Sequence, residues 1–234
     1  MAKVERLERI KGLGTPLRCY APFDEQSDSL KKAGAKYPYI MSIKEIVNMR
    51  RKGGPLESTR TCSAPVQAKD SPNIIAMVSP LIEDLDLAKQ EVQAHRYRNY
   101  FVTEDKTIYD KLYSQAEEDK TKKPEERRAI ILPEKGNYLI KPDTEEAKFI
   151  LGKVQRPYFD EFVKTRGLEG ITFYPINEDF VNAQNGTTIN YLWFRLPDDD
   201  SGLDGYWVLN YDYGAFGVLK ETSKDGSQKS YSKN

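Results

Sequence analysis

The chain reads as an α+β protein with a small mixed α/β core, a C-terminal antiparallel β-meander and an extended N-terminal arm. Helix-period and strand-period apolar patterns interleave between Ile74 and Ile176, while alternation with a period of two dominates after Thr187. Residues 1–73, by contrast, are punctuated by proline and glycine and hold no sustained apolar face. The expected divisions are 1–73 for an extended arm with short helices, 74–180 for the core, 181–222 for the meander and 223–234 for a flexible tail.

Taken in order, Val4, Leu7 and Ile10 lie three apart and predict a short helical turn before Gly12 and Gly14. From Gly12 to Tyr39, Pro16, Pro22, Gly34 and Pro38 alternate with Tyr20, Phe23, Tyr37 and Tyr39, a composition for extended chain that cannot build a core alone. Ser42-Ile43-Lys44-Glu45 is a capping box, in which the serine accepts an amide proton three residues on and the glutamate reaches back to the cap's own amide. Ile43, Ile46, Val47 and Met49/Arg50 carry this helix to Gly53-Gly54-Pro55, which stops it. Gly53–Asn73 is a second irregular tract, with Pro55, Pro65, Pro72 and Cys62. Two such tracts are unusual inside a compact domain and predict an arm ordered on a neighbouring subunit, the alternative being loops wrapped over the protein's own surface.

Ile74–Val78 is an apolar run that predicts a buried strand, and Ser79-Pro80 a cap and first turn for a helix over Leu81–Arg98. A strand at Tyr100–Thr103 and a helix at Asp105–Gln115 follow. Residues 116–128 carry charges of both signs around Pro124 and predict a solvated loop. Ala129–Leu132 then folds through Pro133-Glu134-Lys135-Gly136 into a hairpin with Tyr138–Lys141. Asp143 is the expected N-cap of the next helix, with Glu146 in the capping-box position and Ala147, Ile150, Leu151 and Val154 on one face. Gly152 and Pro157 break it, a second amphipathic segment runs through Tyr158, Phe159, Phe162 and Val163, and Ile171–Ile176 is a strand. Tyr100–Leu112 and Tyr138–Ile150 echo one another as strand, acidic cap and helix. In the last part, Asn185-Gly186 marks a tight turn, with strands expected at Thr187–Leu196, Tyr206–Tyr213 and Phe216–Lys220.

Lys and Arg together number 36, as do Asp and Glu, so no net basic charge draws the chain to nucleic acid or an anionic membrane. Fifteen tyrosines supply aromatic surface of the kind that anchors protein contacts, and Tyr20, Phe23, Tyr37, Tyr39 and Tyr231 are the candidate partner contacts. Tyrosines packed at the core's edge with the hydroxyl in water are the competing reading. Cys19 and Cys62 make no disulfide framework and point to a reduced compartment. The first residues lack an apolar signal region, and no run approaches the roughly 18 apolar residues of a membrane helix, so cytosolic synthesis without a membrane partner is expected.

His95 is the single imidazole, and no serine or cysteine has a recognisable base beside it. Gly12-x-Gly14 lacks the preceding strand and third glycine of a dinucleotide loop. Asp198, Asp200 and Asp204 around Gly202 resemble the start of a calcium loop but lack its bidentate glutamate. No catalytic residue, cofactor or metal is therefore expected. Arg50, Arg51 and Lys52, with Arg96 and Arg98 beside His95, support an alternative nucleic-acid reading, whereas glutamates interleave with Lys120, Lys122, Lys123, Arg127 and Arg128.

Gly136, Tyr138, Asp143, Glu145, Phe149 and Ile150, followed by an aromatic segment, resemble a pattern found in small structural proteins of tailed bacteriophages. The resemblance covers Gly136–Ile150 only and departs from the pattern at Lys141-Pro142. It implies a virion component of capsid, neck or tail. The expected function is a non-enzymatic structural or assembly protein of a multi-subunit particle, partnered by other protein subunits as a homo-oligomer or larger assembly. A nucleic-acid-associated protein and an enzyme without a recognisable motif are the alternatives.

Overall fold

A computed structural model describes residues 2–21, 23–36, 41–77, 101–103, 107–133, 135–190, 192–195, 202–205 and 214–218. The chain enters through β1 (Lys3–Arg6), β2 (Pro16–Tyr20), α1 (Phe23–Lys32) and α2 (Ile43–Arg51). It continues through β3 (Thr59–Arg60), β4 (Ala64–Ala68), β5 (Ile75–Met77), β6 (Phe101–Thr103), α3 (Thr107–Asp119) and β7 (Ala129–Ile131). Next come β8 (Tyr138–Ile140), α4 (Glu145–Leu151), α5 (Gln155–Tyr158), β9 (Ile171–Tyr174) and α6 (Glu178–Asn182). The last described elements are β10 (Thr187–Ile189), β11 (Trp193–Phe194), β12 (Gly202–Asp204) and β13 (Gly214–Val218). Helices on two largely antiparallel sheets make this an α+β fold.

One sheet has five strands in the order β6-β10-β4-β5-β7, antiparallel throughout. Its pleat sorts neighbouring residues into two cores. Ile74, Ala76, Ile130 and Leu132 face Ile43, Ile46, Phe149 and Ile150, whereas Ile75, Met77 and Ala129 face Leu17, Leu30, Tyr109 and Ala116. The sheet is thus a wall shared by both cores. The other sheet has eight strands in the order β1-β2-β13-β3-β11-β12-β9-β8, with parallel steps at β13–β3 and β12–β9.

This topology overturns the extended arm over residues 1–73. Leu17, Cys19, Leu30, Ile43, Ile46, Val47, Met49, Cys62, Ala64 and Val66 are all buried, β4 lies at the centre of the five-stranded sheet, and β2 pairs with β13. The apolar residues are too sparse to form a face locally, and packing against distant strands supplies the missing half. Val4 and Leu7 lie in and beside a strand rather than a helix, because β1 is held by β2 over Lys3–Tyr20 to Arg6–Leu17. The meander is also corrected: β10 joins the five-stranded sheet while β11, β12 and β13 join the other, and among the described residues only β11–β12 forms a local antiparallel pair. The chain changes sheets between the end of β10 at Ile189 and the start of β11 at Trp193, and buried Asn190 donates its side-chain amide to the Gly205 carbonyl. The expected hairpin of 129–132 with 138–141 is absent, since β7 pairs with β5 and β8 with β9. The helix expected over Leu81–Arg98, the strand over Tyr206–Tyr213 and the tail 223–234 lie outside the described residues.

Local signals fare better. Ser42 caps α2 with the full reciprocal box, its amide donating to Glu45 Oε2 at 2.7 Å. The helix stops at Gly53 with φ +83°, and a Cβ on Gly54 would lie 2.6 Å from the Met49 side chain and 2.8 Å from Ile10. Only glycine permits that approach of chain to helix. At α4 the N-cap is Thr144 rather than Asp143, which adopts φ +69° and so cannot hold the extended cap geometry.

Candidate protein-interaction edges

Strand β8 ends the eight-stranded sheet. Tyr138 and Ile140 point inward, the Tyr138 ring lying 5.5 Å from that of Phe173, so the period of two turns Leu139 outward. Leu139 is 39% exposed and is the large apolar side chain left in solvent among the described residues. The backbone follows the same logic. A Cβ on Gly170 would sit 2.5 Å from the Ile140 carbonyl oxygen, which places that oxygen on the β9 side. Antiparallel rungs alternate, and Ile140 pairs with Ile171, so the N–H and C=O of Leu139 point off the sheet.

The five-stranded sheet ends at β7, whose free side opens into a cleft of about 300 Å³ lined by Ala116, Lys120, Arg127, Ile130, Ile131, Glu145 and Glu146. Here Leu132 N–H donates to the Ile74 carbonyl at 2.9 Å, which fixes the rung parity and leaves the N–H and C=O of Ile131 pointing away from β5. The charged wall is built by the stretch that sequence assigns to a solvated loop. Asp119, fully buried at the end of α3, accepts from Lys122 Nζ at 2.6 Å, Gln115 Nε2 at 3.0 Å and the Arg128 amide at 2.7 Å. Burial works to raise its carboxyl pKa, but these three donors outweigh it and hold the group below its ordinary value. Arg127, also buried, donates to the carbonyls of Lys122 and Lys120 and through Nη1 to Glu145 Oε2 at 2.9 Å. Loop 120–128 is consequently a fixed element.

The basic cluster Arg50-Arg51-Lys52 does not form one cationic face. Arg50 is 1% exposed, with its guanidinium 4.2 Å from the Phe194 ring centroid, Nη1 donating to the Tyr158 hydroxyl at 2.9 Å and Nη2 to the Glu57 carbonyl. Arg51 forms a two-point pair with Glu161, and Lys52 donates to the Gly12 carbonyl. The nucleic-acid assignment of Arg50 is therefore corrected: helix period, which already groups Met49 and Arg50 with Ile43, Ile46 and Val47, places it on the buried side. Tyr20 ends β2 half-buried, with the Arg18 guanidinium 5.9 Å over its ring. Phe23 opens α1. Tyr37, Tyr39, Arg96, Arg98, Tyr231, Asp198 and Asp200 lie outside the described residues, while Asp204 belongs to β12 and pairs with Trp193. Cys19 and Cys62 are buried free thiols, and burial pushes the first up to about 11 and the second higher.

Sequence reasoning missed Leu139, Ile131 and the burial of Asp119 and Arg127. The alternation Tyr138-Leu139-Ile140 holds the signal for Leu139, since only one parity can face a core. No local signal distinguishes Asp119 from the acids around it.

No family model and no curated protein matches this chain. Among solved structures, a chain from work titled "Accommodation of massive sequence variation in Nanoarchaeota by the C-type lectin fold" aligns over 93% of this chain and 95% of its own, at 12% identity and a TM-score of 0.49.

Proposed function

We propose that the protein is a non-enzymatic component of a multi-subunit assembly that joins other subunits, second copies of itself included, through its sheet edges. The observation that carries this reading is the coincidence at Leu139 of an exposed apolar side chain and an outward backbone rung on an end strand. Natural proteins cover, charge or shorten such edges because they template pairing with another chain. About the centre of β8, a two-fold partner would set Leu139 against its own copy and Tyr138 against Ile140. Lys141 would face Asn137, so no like charges oppose one another.

The tailed-phage placement rests on the Gly136–Ile150 pattern. Within the fold, Phe149 and Ile150 of that pattern are core residues, and Thr144 supplies the cap. Finding the protein in purified particles would support that placement, and its consistent absence from them would remove it.

The assembly reading is tested by light scattering on size-exclusion fractions over a concentration series. Wild type is expected to exceed the monomer mass. Leu139→Pro, which removes only the outward N–H and no ladder bond, is expected to return it to the monomer with an unchanged circular dichroism spectrum. A wild-type monomer at the highest soluble concentration, with no subunit partner found by crosslinking, would overturn it.

A further inference from the structure

The cleft beside β7 has its own chemistry, distinct from the Leu139 edge. Its floor is apolar, from Ala116, Ile130 and Ile131, and its rim carries Lys120, Arg127, Glu145 and Glu146. Three of those charges are already engaged: Lys120 pairs with Glu117, and Arg127 with Glu145. Glu146 has no hydrogen bond or ion pair among the described residues, and because Thr144 is the cap it is not used in a capping box. The same cleft holds the outward N–H and C=O of Ile131, a donor and an acceptor about one strand width from whatever lies alongside.

We infer that this cleft binds an extended peptide of a partner protein by strand addition to β7, with a lysine or arginine of that peptide paired to Glu146. A peptide backbone is the ligand that satisfies an N–H and a C=O of one residue together, and β-strand addition uses such an edge for affinity and alternate side chains for specificity. The pleat sets the sequence preference. The peptide residue opposite Ile131 shares its face and packs towards Ala116 on α3, so it is apolar. Its two neighbours fall on the Ile130 face, where α4 presents Glu146, so at least one is cationic. Pro133 sits just beyond β7 and bounds the register on that side. The occupant is a short extended segment that alternates apolar and basic residues.

The probe is a short end-capped peptide of alternating valine and lysine, with a valine–glutamate peptide as control, titrated into the full chain and followed by amide NMR and hydrogen exchange. The lysine peptide is expected to saturate, to shift the Ile131 amide and to slow its exchange at least tenfold, while the glutamate peptide leaves it unmoved. Glu146→Gln should weaken binding by about tenfold, as loss of one charge-assisted hydrogen bond does. Glu146 is a partly exposed residue in the first helical turn, so that variant keeps its fold, which the melting temperature checks. Ile131→Pro, which deletes only the outward amide, should abolish binding. Failure of the lysine peptide to bind, equal binding of both peptides, or indifference to Glu146→Gln would each overturn the proposal. Leu139→Pro should leave peptide binding intact, which separates this site from self-association through β8.

Discussion

Arg50 carries a positive charge into an apolar core, and the Phe194 ring face, the Tyr158 hydroxyl and the Glu57 carbonyl make that position tolerable. Replacing it by alanine would leave a cavity and an unpaired Tyr158 hydroxyl. Arg50→Ala is expected to lower stability by about 3 kcal/mol in urea unfolding, and Arg50→Met, which fills the volume, by less than half as much. Asp119 answers to pH. Its folded pKa lies below the unfolded value of about 3.9, so its contribution is fully present above that value and is lost as pH falls through the folded pKa. Stability measured from pH 7 downward should hold to about pH 5 and decline below about pH 4, and Asp119→Asn should flatten that decline while lowering stability at neutral pH. The thiols give a third expectation. Burial keeps Cys19 and Cys62 protonated and out of reach, so iodoacetamide should label neither in the native protein and both after unfolding.

At the scale of elements, legibility tracked how local the determining interaction is. The Ser42–Glu45 box spans four residues and was readable complete; Ser42→Ala should lower the melting temperature by the few degrees that loss of about 1 kcal/mol implies. The buried strand at Ile75–Met77 was readable from its apolar run, with no further context. Helix α1 was not readable, because FDEQSDSLKK offers Leu30 as its one aliphatic anchor, and that anchor packs against Gly217 of β13, from far along the chain. Thr187–Leu196 read as one strand because β propensity says nothing of which sheet a residue joins, and the switch near Asn190 depends on its bond to Gly205. The candidate edges were half legible for the same reason: alternation exposes Leu139, whereas the cleft beside Ile131 exists only once α3, β7 and α4 converge.

Across the whole molecule, the N-terminal third and the rest of the chain are not separable bodies. Strand β4 lies between β10 and β5, β3 lies between β13 and β11, and α2 closes the core that Phe149 and Ile150 occupy. Both cores share one sheet, so loss of either strips a face from the strands that hold the other. Unfolding should accordingly be one transition, with far- and near-ultraviolet circular dichroism superimposing along a urea titration. The sharper measurement is a chain trimmed to residues 74–234. Were the first third an arm laid on a neighbour, that trimmed chain would keep its own core and show dispersed amide resonances. In this topology it loses the centre of the five-stranded sheet and two inner strands of the other, β2 and β3. Its Ile75 and Ala215 then face water in place of Val66 and Cys19. The expected result is a chain with collapsed amide dispersion and rapid proteolysis, recovered when residues 1–73 are supplied as a separate polypeptide that completes both sheets.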